Sequence, residues 1–269
     1  MEKCEVVFCV LTYKNGTDLI DFLKSLRENC RFTYKTIVVN SYYDEESKEK
    51  ISKTAEEYGC DFLNVPNKGY GAGNNRGIEF AIANYDFEYL IVSNPDIIVK
   101  EIDLNVCRNA PEKECILAPK FICRSNKNQN PAIIKNSPFG NKLIYKGYKK
   151  DKKLLIYAGI AWYHFIRIFV KAFRRKPLKI FQCHGSFVIF SKSVLEKLFP
   201  VYDENIFMFC EEMDLGYKAR KLGVNSYYFP RLSVYHKEDG SIKVSDLNVY
   251  NAMRKSNIYC TEKWNAYKQ

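Results

Sequence analysis

The first hundred residues alternate between short apolar runs and segments with the periodicity or composition of helices. The apolar runs predict buried strands, and they cover residues 6–11, 36–40, 62–65 and 89–93. The segments between them predict helices at 18–29, 47–58 and 74–84. Strands that alternate with helices indicate an α/β fold with a mostly parallel sheet flanked by helices. Ligands bind such sheets at the carboxyl ends of the strands, so we expect a site there.

The pattern weakens in the middle of the chain and returns near its end. The later patterns predict strands at 185–191 and 226–234 and helices at 192–199 and 211–222. We therefore expect one continuous domain in three parts, which are a first half at 1–110, a variable basic segment at 111–180 and a second half at 181–269.

The charge changes this picture more than the overall composition does. With 46% hydrophobic and 27% charged residues, the 269-residue chain has the composition of a soluble globular protein. The formal net charge of +11 is concentrated between residues 142 and 179, where one acid, Asp151, faces twelve bases. These bases are Lys142, Lys146, Lys149, Lys150, Lys152, Lys153, Arg167, Lys171, Arg174, Arg175, Lys176 and Lys179. Such a cluster indicates an anionic partner, either a membrane surface or a nucleic acid.

The cysteines and the amino terminus indicate the compartment. The ten cysteines are scattered and form no Cys-x-x-Cys pair, which favours a reducing environment. The first apolar run is broken at Thr12, too early for a signal peptide. We therefore expect a cytoplasmic protein.

Four glycines fall within residues 67–77, directly before a predicted helix. A glycine-rich backbone can approach a ligand closely and present N–H groups to it, and the alternative is a simple turn. The spacing is not Gly-x-Gly-x-x-Gly after the first strand, which argues against a dinucleotide-binding dehydrogenase.

Two groups of carboxylates are candidates for chemistry. Asp96 follows a buried strand that Pro95 ends, so it is either a turn residue or an oxygen ligand for a hard cation. Glu211, Glu212 and Asp214 open a predicted helix after the apolar residues 207–209, which would desolvate a neighbouring carboxyl group and raise its pKa toward that of a general base. The helix dipole also favours acids at this position, so a structural role is the alternative.

In their order and spacing, these elements resemble the family 2 inverting glycosyltransferases, especially bacterial rhamnosyltransferase-type enzymes of polysaccharide assembly. The resemblance covers nearly the whole chain and extends to 184–187, 202–204, and His236 with 240–241. It implies a GT-A fold that moves a sugar from a nucleotide-diphosphate donor, of dTDP-rhamnose or UDP-hexose type, to a lipid-linked or other saccharide acceptor in cell-surface polysaccharide biosynthesis.

The resemblance also assigns residues to the donor and the metal. The donor-binding set is Thr12, Tyr13, Asn40, Asn67, Gly69, Gly73, Asn74, Arg76, Asn94 and Asp96. Asp96 matches the last acid of the family's Asp-x-Asp and would hold Mg²⁺ or Mn²⁺, with His236 either as a second ligand or as an ordinary strand-end histidine. The chain departs from the family at Asn40-Ser41, where Asp-Asn is usual, and at Tyr13-Lys14, where Tyr-Asn is usual.

In the second half, the resemblance assigns the base and the acceptor side. Glu212 matches the second acid of the family's Glu-Asp pair and is the expected base, with Glu211 and Asp214 as alternatives. The acceptor is expected at His184, Gly185 and Ser186.

The apolar stretch 154–173 is long enough to cross a bilayer. A crossing here would separate Asp96 from Glu212, so we expect instead a basic amphipathic helix lying on the inner face of an anionic cell membrane, followed by Arg174-Arg175-Lys176. Its expected apolar face carries Leu155, Trp162, Phe165, Ile166 and Phe169. A packed internal helix with a solvated basic flank is the alternative.

Three other classes of protein compete with the glycosyltransferase prediction. A nucleic-acid-binding protein would fit the charge, but no nucleic-acid motif is present, and we expect no such partner. A nucleotidyltransferase would need a basic signature in the first loop, where only Lys14 is found. The third class is a catalytically inactive membrane-bound scaffold.

Overall fold

A computed structural model describes residues 1–14, 16–168, 177–238 and 248–266. Its helices are α1 (Gly16–Asn29), α2 (Glu45–Glu57), α3 (Tyr70–Asn84), α4 (Leu104–Arg108), α5 (Pro138–Lys149), α6 (Lys153–Ile168), α7 (Lys192–Leu198), α8 (Glu211–Lys221) and α9 (Val249–Ala266). Its strands are β1 (Glu2–Lys3), β2 (Val6–Thr12), β3 (Tyr34–Tyr42), β4 (Asp61–Pro66), β5 (Tyr85–Asp86), β6 (Tyr89–Ser93), β7 (Ile97–Glu101), β8 (Cys115–Cys123), β9 (Leu178–Ile180), β10 (Phe187–Ser191) and β11 (Asn225–His236).

Within these residues, nine strands form one sheet in the order β4-β3-β2-β6-β10-β8-β11-β7, with β9 also paired to β11. The first four strands are parallel to one another. Strand β10 is antiparallel to both of its neighbours, whereas β11 is parallel to β8 and antiparallel to β7 and β9. The α/β fold class is confirmed, and antiparallel pairs enter in the second half of the sheet.

Both faces of the sheet are covered by helices. On β2, Cys9 packs with the side of α3, α7 and α8, and Phe8 packs with the side of α1, α2 and α4. Every residue of β2 is buried. A strand that is buried on both faces needs apolar residues at successive positions, which explains the continuous run in the sequence.

The variable segment contributes to the sheet, which the sequence pattern did not predict. Strand β8 lies inside the sheet between β10 and β11, and β7 pairs with β11. Helices α5 and α6 then form a hairpin in which Gly159 lies close to Ile144, since a side-chain carbon at residue 159 would be 2.5 Å from Ile144 Cγ1. The expected helix thus begins close to where it was predicted, but the described part of α6 ends at Ile168.

The four glycines of 67–77 are required by packing. Helix α3 begins at Tyr70, earlier than predicted, so these residues form its start. A side-chain carbon at Gly71 would lie 2.7 Å from Tyr202 Cβ, and one at Gly73 would lie 2.5 Å from Leu11 Cδ1. Carbons at Gly69 and Gly77 would also collide with protein atoms, and Gly69 has a φ of 109°. Close packing of α3 explains all four glycines without a ligand.

Helix α6 has an exposed apolar stripe, which we call the outer stripe. It consists of Leu154, Tyr157, Ala161, Phe165 and Ile168, at helical spacing along one side. Contrary to expectation, Leu155 and Ile166 are partly buried, and Phe169 lies outside the described residues, as does Arg174-Arg175-Lys176. In the described part of the chain, no helix combines the length and apolarity needed to cross a membrane.

Candidate active site

The 184–186 segment lies beside the loop that carries Asp96. Phe187 at the start of β10 pairs antiparallel with Ser93 at the end of β6, so the residues before Phe187 face those after Ser93. Asn94 Nδ2 donates to Ser186 Oγ at 3.0 Å, and the Asn94 amide donates to the Ser186 carbonyl at 2.9 Å. Sheet register therefore brings a predicted acceptor residue against a predicted donor residue.

The same segment contacts the acids of α8 through Gly185. The Gly185 amide donates to Glu212 Oε1 at 3.2 Å, and its carbonyl accepts from the Tyr70 hydroxyl at 3.0 Å. A side-chain carbon at residue 185 would lie 2.5 Å from Glu212 Oε1. Glycine at this position therefore permits the close approach of the Glu212 carboxyl group.

Asp96 and His236 form a pair whose protonation is constrained by its neighbours. Gln129 Nε2 donates to Glu238 Oε1 at 2.8 Å, which leaves Gln129 Oε1 as the acceptor from His236 Nδ1 at 2.9 Å. This network assigns the ring proton of neutral His236 to Nδ1. His236 Nε2 then faces Asp96 Oδ2 at 3.1 Å. Two acceptor atoms at that distance need a proton or a cation between them.

This pair has the chemistry of an incomplete cation site. Asp96 is 2% exposed, and its Oδ1 has no hydrogen-bond partner among the described residues. The same residues contain no group of three or more His, Cys, Asp or Glu side chains that could hold a metal. Mg²⁺ commonly takes one or two protein ligands and completes its shell with substrate phosphates and water. Asp96 and His236 fit that mode of binding.

Glu211 and Glu212 lie in a poorly solvated environment at the start of α8. Glu211 is 5% exposed, and its Oε1 has no partner in the described chain. Burial raises the pKa of both carboxyl groups, and the charge of Glu212 raises the pKa of Glu211 further. The acids in turn raise the pKa values of the already buried Tyr70 and Tyr202. Phe207 is 41% exposed, so the predicted apolar approach is only partly responsible for the desolvation.

Asp214 belongs to the packing of α9. Its Oδ1 accepts hydrogen bonds from Lys263 Nζ and Trp264 Nε1, both at 2.6 Å. Asp214 is 1% exposed. A carboxylate that is already paired with a cation and an indole is a poor base, so the structure favours an anchoring role for this alternative candidate.

His184 lies on the metal side of the 184–186 segment. Its ring stacks on Phe121 at 4.5 Å and meets the His236 ring edge to face at 5.4 Å. Burial, followed by the charge of His236, lowers the pKa of His184 to about 3. His184 is therefore neutral at physiological pH, and its acceptor-binding role stays a prediction.

The predicted nucleotide contacts lie at the carboxyl ends of β2 and β3. Thr12 Oγ1 donates to the Val39 carbonyl at 3.2 Å, inside the sheet. Asn40 Nδ2 donates to Asn64 Oδ1 at 2.8 Å, and Asn40 Oδ1 has no partner in the described part of the chain. Asn40 thus presents a buried amide oxygen where the family usually has a carboxylate.

Tyr13 stands at the surface beside this pair. Its ring meets Tyr43 edge to face at 5.7 Å, and Lys14 Nζ lies 3.2 Å from the centre of the Tyr43 ring. The arrangement offers two aromatic rings and one cation next to Asn40, which suits a base and its phosphates.

The predicted donor residues of 67–76 are engaged within the protein. Asn67 Oδ1 accepts from the Gly69 amide at 3.3 Å, and Asn74 Nδ2 donates to a carbonyl one turn earlier at 3.0 Å. Arg76 forms ion pairs of 3.1 and 2.7 Å with two glutamates. These contacts explain the residues by helix geometry, and their donor-binding roles stay predictions.

Sequence reasoning missed Tyr70, Gln129 and Asn130. Gln129 and Asn130 lie in the polar stretch 124–131, which looked like a solvated loop. Asn130 is in fact fully buried, and its Oδ1 accepts from the His184 amide at 2.7 Å. Their partners are more than 50 residues away, and no local signal in the sequence marks such contacts.

Comparison with known proteins supplies the family. The sequence model of glycosyl transferase family 2 matches residues 7–199. The chain belongs to this family. The match ends before Glu211, so the acids of α8 lie outside it, and it supports neither the nucleic-acid-binding nor the nucleotidyltransferase alternative.

Two curated relatives show low but extended similarity. The low-salt glycan biosynthesis hexosyltransferase Agl10 of Haloferax volcanii is 23% identical over 218 residues, covering 80% of this chain and 62% of the relative. The rhamnosyltransferase WbbL of Escherichia coli K12 is 25% identical over 232 residues, covering 80% of this chain and 78% of the relative. The chain thus spans less than two thirds of the length of Agl10.

Solved structures confirm the GT-A fold. TarS of S. aureus superposes with a TM-score of 0.55 at 12% identity, over 87% of this chain and 36% of that protein. GalNAc-T7, solved with UDP, GalNAc and Mn²⁺, superposes with a TM-score of 0.64 at 13% identity, over 98% of this chain and 50% of that protein.

Gln129→Leu should weaken Mn²⁺ binding about tenfold or more, because the orienting acceptor for His236 Nδ1–H is lost. The measurement is the Mn²⁺ dissociation constant, by electron paramagnetic resonance with inorganic pyrophosphate present. Glu238→Gln keeps an acceptor for Gln129 and is the control, with little change expected. Wild-type affinity in Gln129→Leu, together with a loss in Asp96→Asn, would remove His236 from the ligand set.

Glu211→Gln should stabilise the protein at alkaline pH. Because the folded-state pKa of Glu211 is raised, the wild type loses stability as pH rises through that pKa, and a glutamine does not. We expect the free energy of unfolding in urea to be about 2 kcal/mol higher in the variant at pH 8.5, with the gain vanishing near pH 4.

The control for this pH series is Glu196→Gln, at an exposed position of α7. It should show no such pH-dependent gain. A Glu211→Gln effect of equal size at every pH would contradict the raised pKa.

Proposed function

We propose that the chain is an inverting glycosyltransferase that moves a sugar from a nucleotide-diphosphate donor to a saccharide acceptor. The observation that carries this proposal is the 184–186 segment. One end contacts Glu212, a carboxyl group of raised pKa, and the other lies against Asn94 and the Asp96–His236 pair. A base and a diphosphate site on one rigid support are what an inverting displacement requires.

Glu212 supplies the base. Its ionised carboxylate accepts the proton of the acceptor hydroxyl as that oxygen attacks the sugar, and desolvation makes it a stronger base than an exposed glutamate. The Gly185 N–H and the short 184–186 segment fix its orientation. Glu211 carries the same raised pKa but is more deeply buried, so it is the second candidate.

Asp96 and His236 hold the cation in this scheme. A bound Mg²⁺ or Mn²⁺ would neutralise the charge that develops on the leaving diphosphate. GalNAc-T7 was solved with UDP and Mn²⁺, which supports a nucleotide donor and a metal of this kind. Tyr13, Asn40 and the aromatic pair beside them receive the nucleotide.

The donor and acceptor classes follow from the relatives. WbbL is named a rhamnosyltransferase and Agl10 a hexosyltransferase of glycan biosynthesis, which supports a dTDP-rhamnose or UDP-hexose donor. We propose a lipid-linked saccharide acceptor in cell-surface polysaccharide assembly, at the cytoplasmic face of the membrane.

The outer stripe of α6 supports the membrane part of this proposal. Leu154 is 80% exposed and Ile168 62% exposed, which is unusual for large apolar side chains. Exposed lysines stand on the same hairpin, at Lys142, Lys146, Lys150, Lys152 and Lys153. An apolar stripe flanked by cations suits an anionic lipid surface.

Glu212→Gln should bind donor like the wild type but lose at least about a hundredfold in transfer rate, because an amide cannot accept the proton. Donor binding is measured as thermal stabilisation by dTDP-rhamnose and UDP-hexoses with and without Mn²⁺, and transfer as release of the nucleoside diphosphate. Asp96→Asn should instead lose the Mn²⁺-dependent part of donor binding. If Glu211→Gln is inactive and Glu212→Gln active, the base is Glu211.

Replacing Leu154, Tyr157 and Ile168 by Ser should weaken liposome binding at least about tenfold, since the apolar area entering the interface is lost. The measurement is co-sedimentation with vesicles of high and zero anionic lipid content across a salt series. Leu222→Ser, at an exposed apolar position after α8, is the control. Equal sedimentation of all three proteins would exclude docking through the outer stripe.

A further inference from the structure

Arg167 lies on the side of α6 opposite the outer stripe. It shares that side with Ile156 and Gly159, which are buried against α5. Its guanidinium group is half-buried and donates to the Asn128 carbonyl oxygen. Within the described residues, no carboxylate lies within ion-pair distance of it.

A guanidinium in this position lacks a counter-ion. Arginine stays protonated in proteins, so burial leaves a positive charge that costs free energy unless an anion accompanies it. Burial does lower the pKa of Arg167, but not enough to remove the proton. The Asn128 carbonyl is a single neutral acceptor for a group with five N–H donors. The remaining donors are suited to a bidentate oxyanion.

Three consecutive residues connect Arg167 to the site. The carbonyl of Asn128 accepts from Arg167, the side chain of Gln129 contacts His236, and the side chain of Asn130 accepts from the His184 amide. The charge of Arg167 also contributes to the lowered pKa of His184. The guanidinium therefore belongs to the surroundings of the Asp96–His236 pair and not to the solvated basic flank.

We propose that Arg167 binds a phosphate group of a substrate at this site. The inference rests on the proposed function, and two substrates there carry the same chemistry: the donor through its nucleoside diphosphate and a lipid-linked acceptor through its diphosphate. The position on α6 favours the acceptor. A lipid held along the outer stripe of that helix has its diphosphate close to the end where Arg167 faces inward.

The test compares Arg167→Gln and Arg167→Lys with the wild type by isothermal titration calorimetry. The probes are UDP and dTDP with Mn²⁺ for the donor, and farnesyl diphosphate in detergent for the acceptor. Arg167→Gln should weaken one class of probe about tenfold or more, equivalent to about 1.4 kcal/mol. Arg167→Lys should recover part of the loss, because it keeps the charge without the planar fork. Lys152→Gln removes an exposed charge from the same hairpin and should leave both affinities unchanged.

The outcomes separate the sources and the proposals. Weaker farnesyl diphosphate binding assigns Arg167 to the acceptor, and weaker nucleotide binding assigns it to the donor. Wild-type affinity of Arg167→Gln for both probes overturns the role of Arg167 and leaves the glycosyltransferase proposal intact. A wild type that binds neither probe contradicts the proposed function, and this inference with it.

A second measurement uses only the wild type, in case Arg167→Gln does not fold. Phenylglyoxal labels accessible arginines, and peptide mapping gives the extent of labelling at Arg167. Inorganic pyrophosphate with Mg²⁺ should protect Arg167 while Arg231, an exposed arginine of β11, is labelled as before. Unchanged labelling of Arg167 overturns the proposal.

Discussion

The contact between Gly185 and Glu212 is the constraint on which the candidate site depends. Gly185 precedes β10, the strand whose antiparallel register with β6 brings it beside Asn94 and Asp96. Glu212 belongs to α8, which is held by a different part of the chain. The Gly185 N–H contact at 3.2 Å joins these two supports, and a side chain at residue 185 would occupy the space of the carboxyl group. The relative position of base and diphosphate site is thus set by sheet register and one glycine.

Helix α9 completes the environment of the acids, although it lies beyond the residues matched by the family. Asp214 is bound by Lys263 and Trp264, and Ser256 Oγ donates to the Met208 carbonyl at 2.7 Å. These contacts fix both sides of the turn that leads into Glu211. The carboxylate nearest to a base by sequence spacing therefore serves to hold the helix that shields the others from water.

Much of the fold could be predicted, because its signals are local. Strand β6 was predicted with its observed bounds, and β2 to within one residue, because strands buried on both faces must be continuously apolar. Strand β8 was missed because its run Cys115–Cys123 contains Pro119 and Lys120 and has no clear period. The glycines of α3 were visible in the sequence, but their cause is packing against residues more than 30 positions away, which spacing cannot reveal.

The site shows the same division between local and distant causes. Asp96, His236 and Glu212 stand at ends of elements, where sequence patterns point to them. Gln129, Asn130 and Arg167 act through contacts between distant segments, and they lie in stretches that look like ordinary polar loop or basic surface. Arg167 shows why counting charge is insufficient: it is one of twelve bases in its segment, yet helical phase turns it inward while the outer stripe faces the opposite way. The physical distinction is the counter-ion, because an exposed lysine is satisfied by water and a half-buried guanidinium needs an anion. On one helix, the same positive sign therefore serves two surroundings, a solvated flank and the approach to the Asp96–His236 pair.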